Sequence, residues 1–77
     1  MLTSAQIRAA RALVRMEQAK LADAADISVE TIKRLERIDG PLDGAKAGTL
    51  AAIQRALEEA GVEFTNGDAP GVRMRAR

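Results

Sequence analysis

Seventy-seven residues allow one domain with a small core. The chain has no cysteine, which excludes a disulfide frame and a thiolate metal site, and no histidine, which removes the usual general base and metal ligand together. A net charge of +1 is not the strongly basic signature of many nucleic-acid binders, and a single aromatic residue, Phe64, argues against base-stacking surfaces.

The N-terminal stretch Met1-Leu2-Thr3-Ser4 carries no basic flank followed by an apolar run. No apolar segment approaches the ~20 residues needed to span a bilayer. A cytosolic location, with no membrane partner, is therefore expected.

The first helix has a complete start signal. Thr3 as N-cap and Gln6 three residues on make a capping box, and Leu2 with Ile7 makes a hydrophobic staple. From there Ile7, Ala10, Leu13 and Val14 recur at helical spacing and are expected to face inward. Arg8, Arg11 and Arg15 share a neighbouring stripe. It is either a solvated basic face or a phosphate-facing rim with Arg11 turned partly inward.

A second helix is expected from Gln18 to about Ala24, with Glu17 as a poor N-cap whose charge nonetheless suits a helix start. Asp26 stands where the chain must turn, Ile27 is an apolar plug, and Ser28 is a strong N-cap for a third helix from Val29 to about Arg37. Ile27 and Ile32 are spaced as a second staple around Ser28. Leu21, Ala22 and Ala25 form one buried face, and Ile32 and Leu35 the next.

Two short helices joined by a tight turn are the layout of a helix-turn-helix, whose second helix enters the DNA major groove. In that arrangement Val29, Glu30 and Lys33 share an exposed surface in the N-terminal half of the third helix. Lys33 has donors for guanine O6/N7, Glu30 accepts from cytosine N4, and Val29 suits a thymine methyl. Gln18 has two amide donors in a first turn, where a helix end meets a phosphate. The competing readings are a surface glutamine and a Glu30 that pairs along the helix with Lys33 or Arg34.

Asp39 to Gly44 reads as a loop, and the stretch from Ala45 to Gly48 is either its continuation or a weak helix start. Leu50, Ile53, Ala56 and Leu57 stripe a fourth helix that Gly61 ends, with Glu58 and Glu59 set against its dipole. The period then changes from helical to alternating. Val62 and Phe64, then Val72 and Met74, read as two short strands around a turn-rich loop. Such a hairpin must pack on helix four or a second subunit, and an unpaired edge is a candidate dimer seam. Arg73, Arg75 and Arg77 make a basic end that is either a DNA-touching arm or a solvated tail.

The residues Gln18-Ala19-x-Leu21-Ala22 and Ile27-Ser28-x-x-Thr31-Ile32-x-x-Leu35-Glu36 resemble the phage repressor and Cro (XRE-type) helix-turn-helix family. The ending from Leu57 through Phe64 to Gly71-Val72-Arg73 is similar to that of very small bacterial members. The resemblance implies a mainly α fold, a lambda-repressor-like bundle of four to five helices with a short C-terminal β-hairpin. Residues 1–61 would be the DNA-binding domain, and residues 62–77 the hairpin and basic tail, a dimerisation element.

It also implies roles. Gln18 would contact backbone phosphate and brace the third helix. Val29, Glu30 and Lys33 would face bases, with Ser28 and Arg34 at adjoining contacts. Arg11 and Glu36 would form a partly buried salt bridge between helices one and three, which favours the inward reading of Arg11. Against the family pattern, Asp26 replaces the usual turn glycine, Arg15-Met16 the tight residue before helix two, and Glu17 the usual Ser-like cap.

These readings converge on a sequence-specific double-stranded DNA-binding transcriptional regulator, acting as a homodimer on a palindromic operator. Repressor and controller roles are both open. The alternatives are an antitoxin-like module with a protein partner, and an interaction protein that keeps the fold without binding DNA. No Gly-rich phosphate loop or converging carboxylate pair points to an enzyme. No cofactor, metal or small-molecule ligand is implied.

Overall fold

A computed structural model of the protein describes residues 2–39, 42, 44–65 and 69–75. The elements run α1 (Ser4–Val14), α2 (Gln18–Ala25), α3 (Val29–Glu36), α4 (Ala47–Glu59), β1 (Val62–Thr65) and β2 (Gly71–Met74). The protein is mainly helical, with a short two-stranded antiparallel hairpin. No helix among the described residues is long and apolar enough to cross a membrane.

The first helix starts as its sequence dictates. The Thr3 hydroxyl accepts from the Gln6 N–H at 3.1 Å, and the Gln6 carboxamide oxygen accepts from the Thr3 N–H at 2.9 Å. This satisfies two otherwise orphaned donors reciprocally. The staple partners Leu2 and Ile7 are both buried.

Leu13 departs from expectation, for it is exposed. Steps of three residues fall short of a 3.6-residue turn, so a stripe running 7, 10, 13 drifts away from the core. Ala10 stays inside, Val14 is half-buried, and Leu13 has rotated out.

Both α1 and α2 end in left-handed residues that are not glycine, Arg15 at φ 54° and Asp26 at φ 57°. The Met16 N–H returns to the Arg11 carbonyl and the Ile27 N–H to the Ala22 carbonyl, each at 2.9 Å, closing two Schellman-type caps. Glu17 makes no side-chain cap bond, whereas the Ser28 hydroxyl accepts from the Thr31 N–H at 3.1 Å. Arg37 caps α3 rather than extending it.

The fourth helix begins at Ala47, which makes Ala45 part of the preceding loop and Gly48 part of the helix. Leu42, read in the sequence only as part of a loop, is 1% exposed and plugs the core beside Leu2. Gly40, Pro41 and Asp43 of that predicted loop lie outside the described residues. Ile53, Ala56 and Leu57 are buried as the stripe requires, while Leu50 packs half-buried against them.

Gly61 follows the end of α4 at φ 112°, a backbone conformation that side chains disfavour. Beyond it, the strand register pairs Val62 with Met74 and Phe64 with Val72, so the alternating apolar residues fall on one face. That face packs on both α4 and α1, with Val62 in the core. The link to α1 was not foreseen. The buried Gln6 donates its amide to the carbonyls of Thr65 and Gly71, at 3.0 and 3.1 Å, and so fastens the loop end of the hairpin to the first turn of α1.

Candidate functional site

The site is built around Glu36, the last residue of α3. Its side chain is 5% exposed, and a carboxylate so placed requires partners. Arg11 provides two of them, through Nε at 2.6 Å and Nη2 at 2.8 Å, in a bidentate pair. Gln18 donates to the same carboxylate at 2.9 Å. The remaining Arg11 donor reaches the Met16 carbonyl at 3.0 Å, at the turn between α1 and α2. Arg8 donates to the Glu36 main-chain carbonyl.

Three elements are thereby fixed to one another by charged groups. The arrangement also offsets an unfavourable position, because a carboxylate at a helix C-terminus opposes the dipole and two guanidinium groups compensate it. Among the described residues, no buried side-chain nitrogen or oxygen lacks a hydrogen-bond partner.

The network sets the position of the outer face of α3. Ser28 caps its start, with its hydroxyl also 2.9 Å from the Thr31 hydroxyl. Glu30 and Lys33 project outward and pair across one turn at 3.8 Å, with side chains 79% and 42% exposed. The within-helix pairing read as a competitor in the sequence therefore forms, and both groups remain accessible. Arg34 is exposed as expected, whereas Val29, expected on the exposed surface, is half-buried, because this apolar side chain at the start of α3 packs against the core.

Gln18 at the start of α2 stands beside this face. An open depression of about 640 Å³ runs between the two helices, lined by Arg11, Glu17, Gln18, Ala19, Val29 and Lys33. On the opposite flank of α3, a groove of about 470 Å³ is bordered by Thr31, Arg34 and Lys46. The candidates Gln18, Val29 and Lys33 thus line one concavity, while Arg34 lines the other.

The basic stripe of α1 divides. Arg11 turns inward, Arg8 is exposed but engaged on Glu36, and Arg15 serves the left-handed cap. The Arg8 contact had no signal in the sequence, because its acceptor is a main-chain carbonyl far along the chain.

The basic C-terminal end is largely committed to the hairpin. Arg73 pairs across the strands with Glu63 at 2.8 Å, and Arg75 donates through its guanidinium to the Glu58 carbonyl and through its N–H to the Gly61 carbonyl. Arg75 thereby adds a cation at the C-terminus of α4, where Glu58 and Glu59 oppose the dipole. Arg77 lies outside the described residues.

No protein-family model matches the chain, and no curated protein matches it in sequence.

Proposed function

We propose that the protein is a sequence-specific double-stranded DNA-binding transcriptional regulator of lambda-repressor-like fold, with α3 as the helix that enters the major groove. The observation that carries this reading is the pairing of a rigid support with an accessible polar face. Arg11, Gln18 and Glu36 lock α2 against α3, while Arg34 and the Glu30–Lys33 pair stay accessible on the outside. A reading helix needs both features, since base contacts discriminate only when the helix is held in register by its surroundings.

In this reading Gln18 has one amide donor on Glu36 and keeps its second for a backbone phosphate. Ser28 and Arg34 flank the base-facing residues Val29, Glu30 and Lys33. One such helix reads a half-site too short to single out a genomic address, so a homodimer on a two-fold operator completes the proposal.

The test is a mobility-shift titration of the purified protein against the DNA upstream of its own coding sequence, with random duplex as competitor. Retention of a discrete complex in excess random DNA, protecting two symmetric half-sites, supports the proposal. Binding no stronger than to the competitor, both there and in a selection from a random pool, overturns it in favour of a protein-interaction role.

A further inference from the structure

The Glu30–Lys33 couple has a geometry that narrows what α3 reads. We infer that it acts as one two-point reader of a single G·C base pair in a single orientation, with Lys33 over guanine and Glu30 over its cytosine. The inference rests on the proposed DNA-binding role of α3.

The two charged ends are 3.8 Å apart, as Lys33 Nζ and Glu30 Oε2. In the major groove guanine O6 accepts and cytosine N4 donates. These two atoms are joined by a base-pairing hydrogen bond, so they stand about 2.9 Å apart. A donor and an acceptor at nearly that spacing are already presented by the protein, in complementary order. The ammonium lies over O6, with N7 as a second acceptor within reach, and the carboxylate lies over the free N4 hydrogen. Because the couple stays closed, the contact is neutral overall and Glu30 need not be driven against phosphate.

The other three base pairs fit worse, each for a stated reason. A C·G pair reverses the order, which sets the ammonium on a donor and the carboxylate on acceptors. An A·T pair, with adenine on the lysine side, reverses the two central groups in the same way. A T·A pair keeps the order, but the thymine methyl crowds the approach of Lys33 and adenine N7 faces the carboxylate. The expected ranking is G·C first and T·A second.

Glu30 stands in the first turn of α3 and Lys33 one turn further on, and both are substantially exposed. Substitutions there leave the core and the Arg11–Glu36 network untouched, so folding, checked by circular dichroism, is expected to survive them.

The experiment is selection from a randomised duplex pool with sequencing, run on the wild-type protein, on Glu30→Ala, and on the reversed couple Glu30→Lys with Lys33→Glu. The wild type should enrich a half-site containing one position where G·C exceeds the other pairs by about ten-fold or more. Glu30→Ala should narrow the margin of G·C over T·A at that position several-fold, because the repulsion from N7 is gone, while G·C stays first because the thymine methyl still crowds Lys33. The reversed couple should invert the preference there to C·G while the rest of the half-site persists.

An unchanged preference in Glu30→Ala overturns the inference and returns Glu30 to an ordinary surface ion pair. So does a reversed couple that enriches the rest of the half-site without inverting this position. Should the reversed couple enrich nothing, the Glu30→Ala result decides. A wild-type protein that enriches no sequence overturns the DNA-binding reading itself, and that outcome is distinct from enrichment of a site lacking this G·C pair.

Discussion

Two residues carry conformational strain that the fold does not use for contact. Arg15 and Asp26 hold left-handed caps in which glycine is the favoured occupant. A side chain in that region costs roughly 1–2 kcal/mol, less for aspartate, whose short polar group tolerates it. Arg15→Gly should therefore stabilise the protein by about 1 kcal/mol and Asp26→Gly by less, as read from urea midpoints at unchanged slope. A loss of stability in Arg15→Gly would mean that the side chain makes a contact that outweighs its strain.

The same scale holds the Arg11–Glu36 pair. Glu36 is nearly buried and Arg11 is one-fifth exposed, so removing either partner strands a charge in a partly screened site. Arg11→Met should cost about 3 kcal/mol, at the low end for a buried pair because of that exposure. The double variant Arg11→Met/Glu36→Leu should recover much of the loss, since the remaining penalty is then only the contacts to Gln18 and Met16. Additive losses in the thermodynamic cycle would show that the two groups do not depend on each other.

At the scale of elements, Gln6 joins what the chain order separates. Its oxygen completes the cap of α1 and its nitrogen holds the hairpin by two carbonyls. A two-stranded hairpin is marginal alone, so its order depends on this tether and on Val62. Gln6→Ala should destabilise the protein by about 2 kcal/mol, the sum of a cap and the two lost bonds to the partly buried carbonyls of Thr65 and Gly71. Amide exchange in β1 and β2 should accelerate more than in α3. Equal acceleration throughout would mean that the hairpin is not held separately by Gln6.

What the sequence disclosed divides along the range of the interactions. The Thr3/Gln6 box, the Ser28 cap and the turn at Asp26 depend on neighbours a few residues away, and all are found in place. The two strands and their shared apolar face follow from alternation, whereas the register, Val62 on Met74 and Phe64 on Val72, does not, since a slip of two residues would keep the same face. The second role of Gln6, the Arg8 contact with Glu36, and the burial of Leu42 depend on partners distant in sequence, so no local pattern marks them. Leu13 failed for a different reason, since an apolar residue at the edge of a drifting stripe has no fixed side until the neighbouring elements are placed.

In the candidate site, residue types and helix faces were legible. The ion pair between Arg11 and Glu36 entered only through a family resemblance, and the bond between Gln18 and Glu36 is its extension. Neither follows from spacing, because the two helices meet only in the folded chain.

For the molecule as a whole, the placement of the charges matters more than their sum of +1. Arg11, Arg73 and Arg75 are engaged within the fold, and Glu36 and Glu63 are their partners. The exposed cations Arg34, on α3, and Lys46, at the start of α4, border the groove on the far flank of α3, and exposed Arg37 caps the end of α3. A weakly charged protein can thus present a local basic surface of the kind that phosphate contacts require.

Under the proposed function, α3 reads sequence while the residues that brace it set affinity. An anisotropy titration at two salt concentrations against a selected duplex and a scrambled one, with Lys33→Ala and Gln18→Ala beside the wild type, separates the two contributions. Lys33→Ala should narrow the gap between the two duplexes by about 1–3 kcal/mol. Gln18→Ala should weaken both duplexes alike, and wild-type affinity should fall steeply with salt. Equal affinity for both duplexes in the wild-type protein, or a gap that Lys33→Ala leaves intact, would contradict the proposed function.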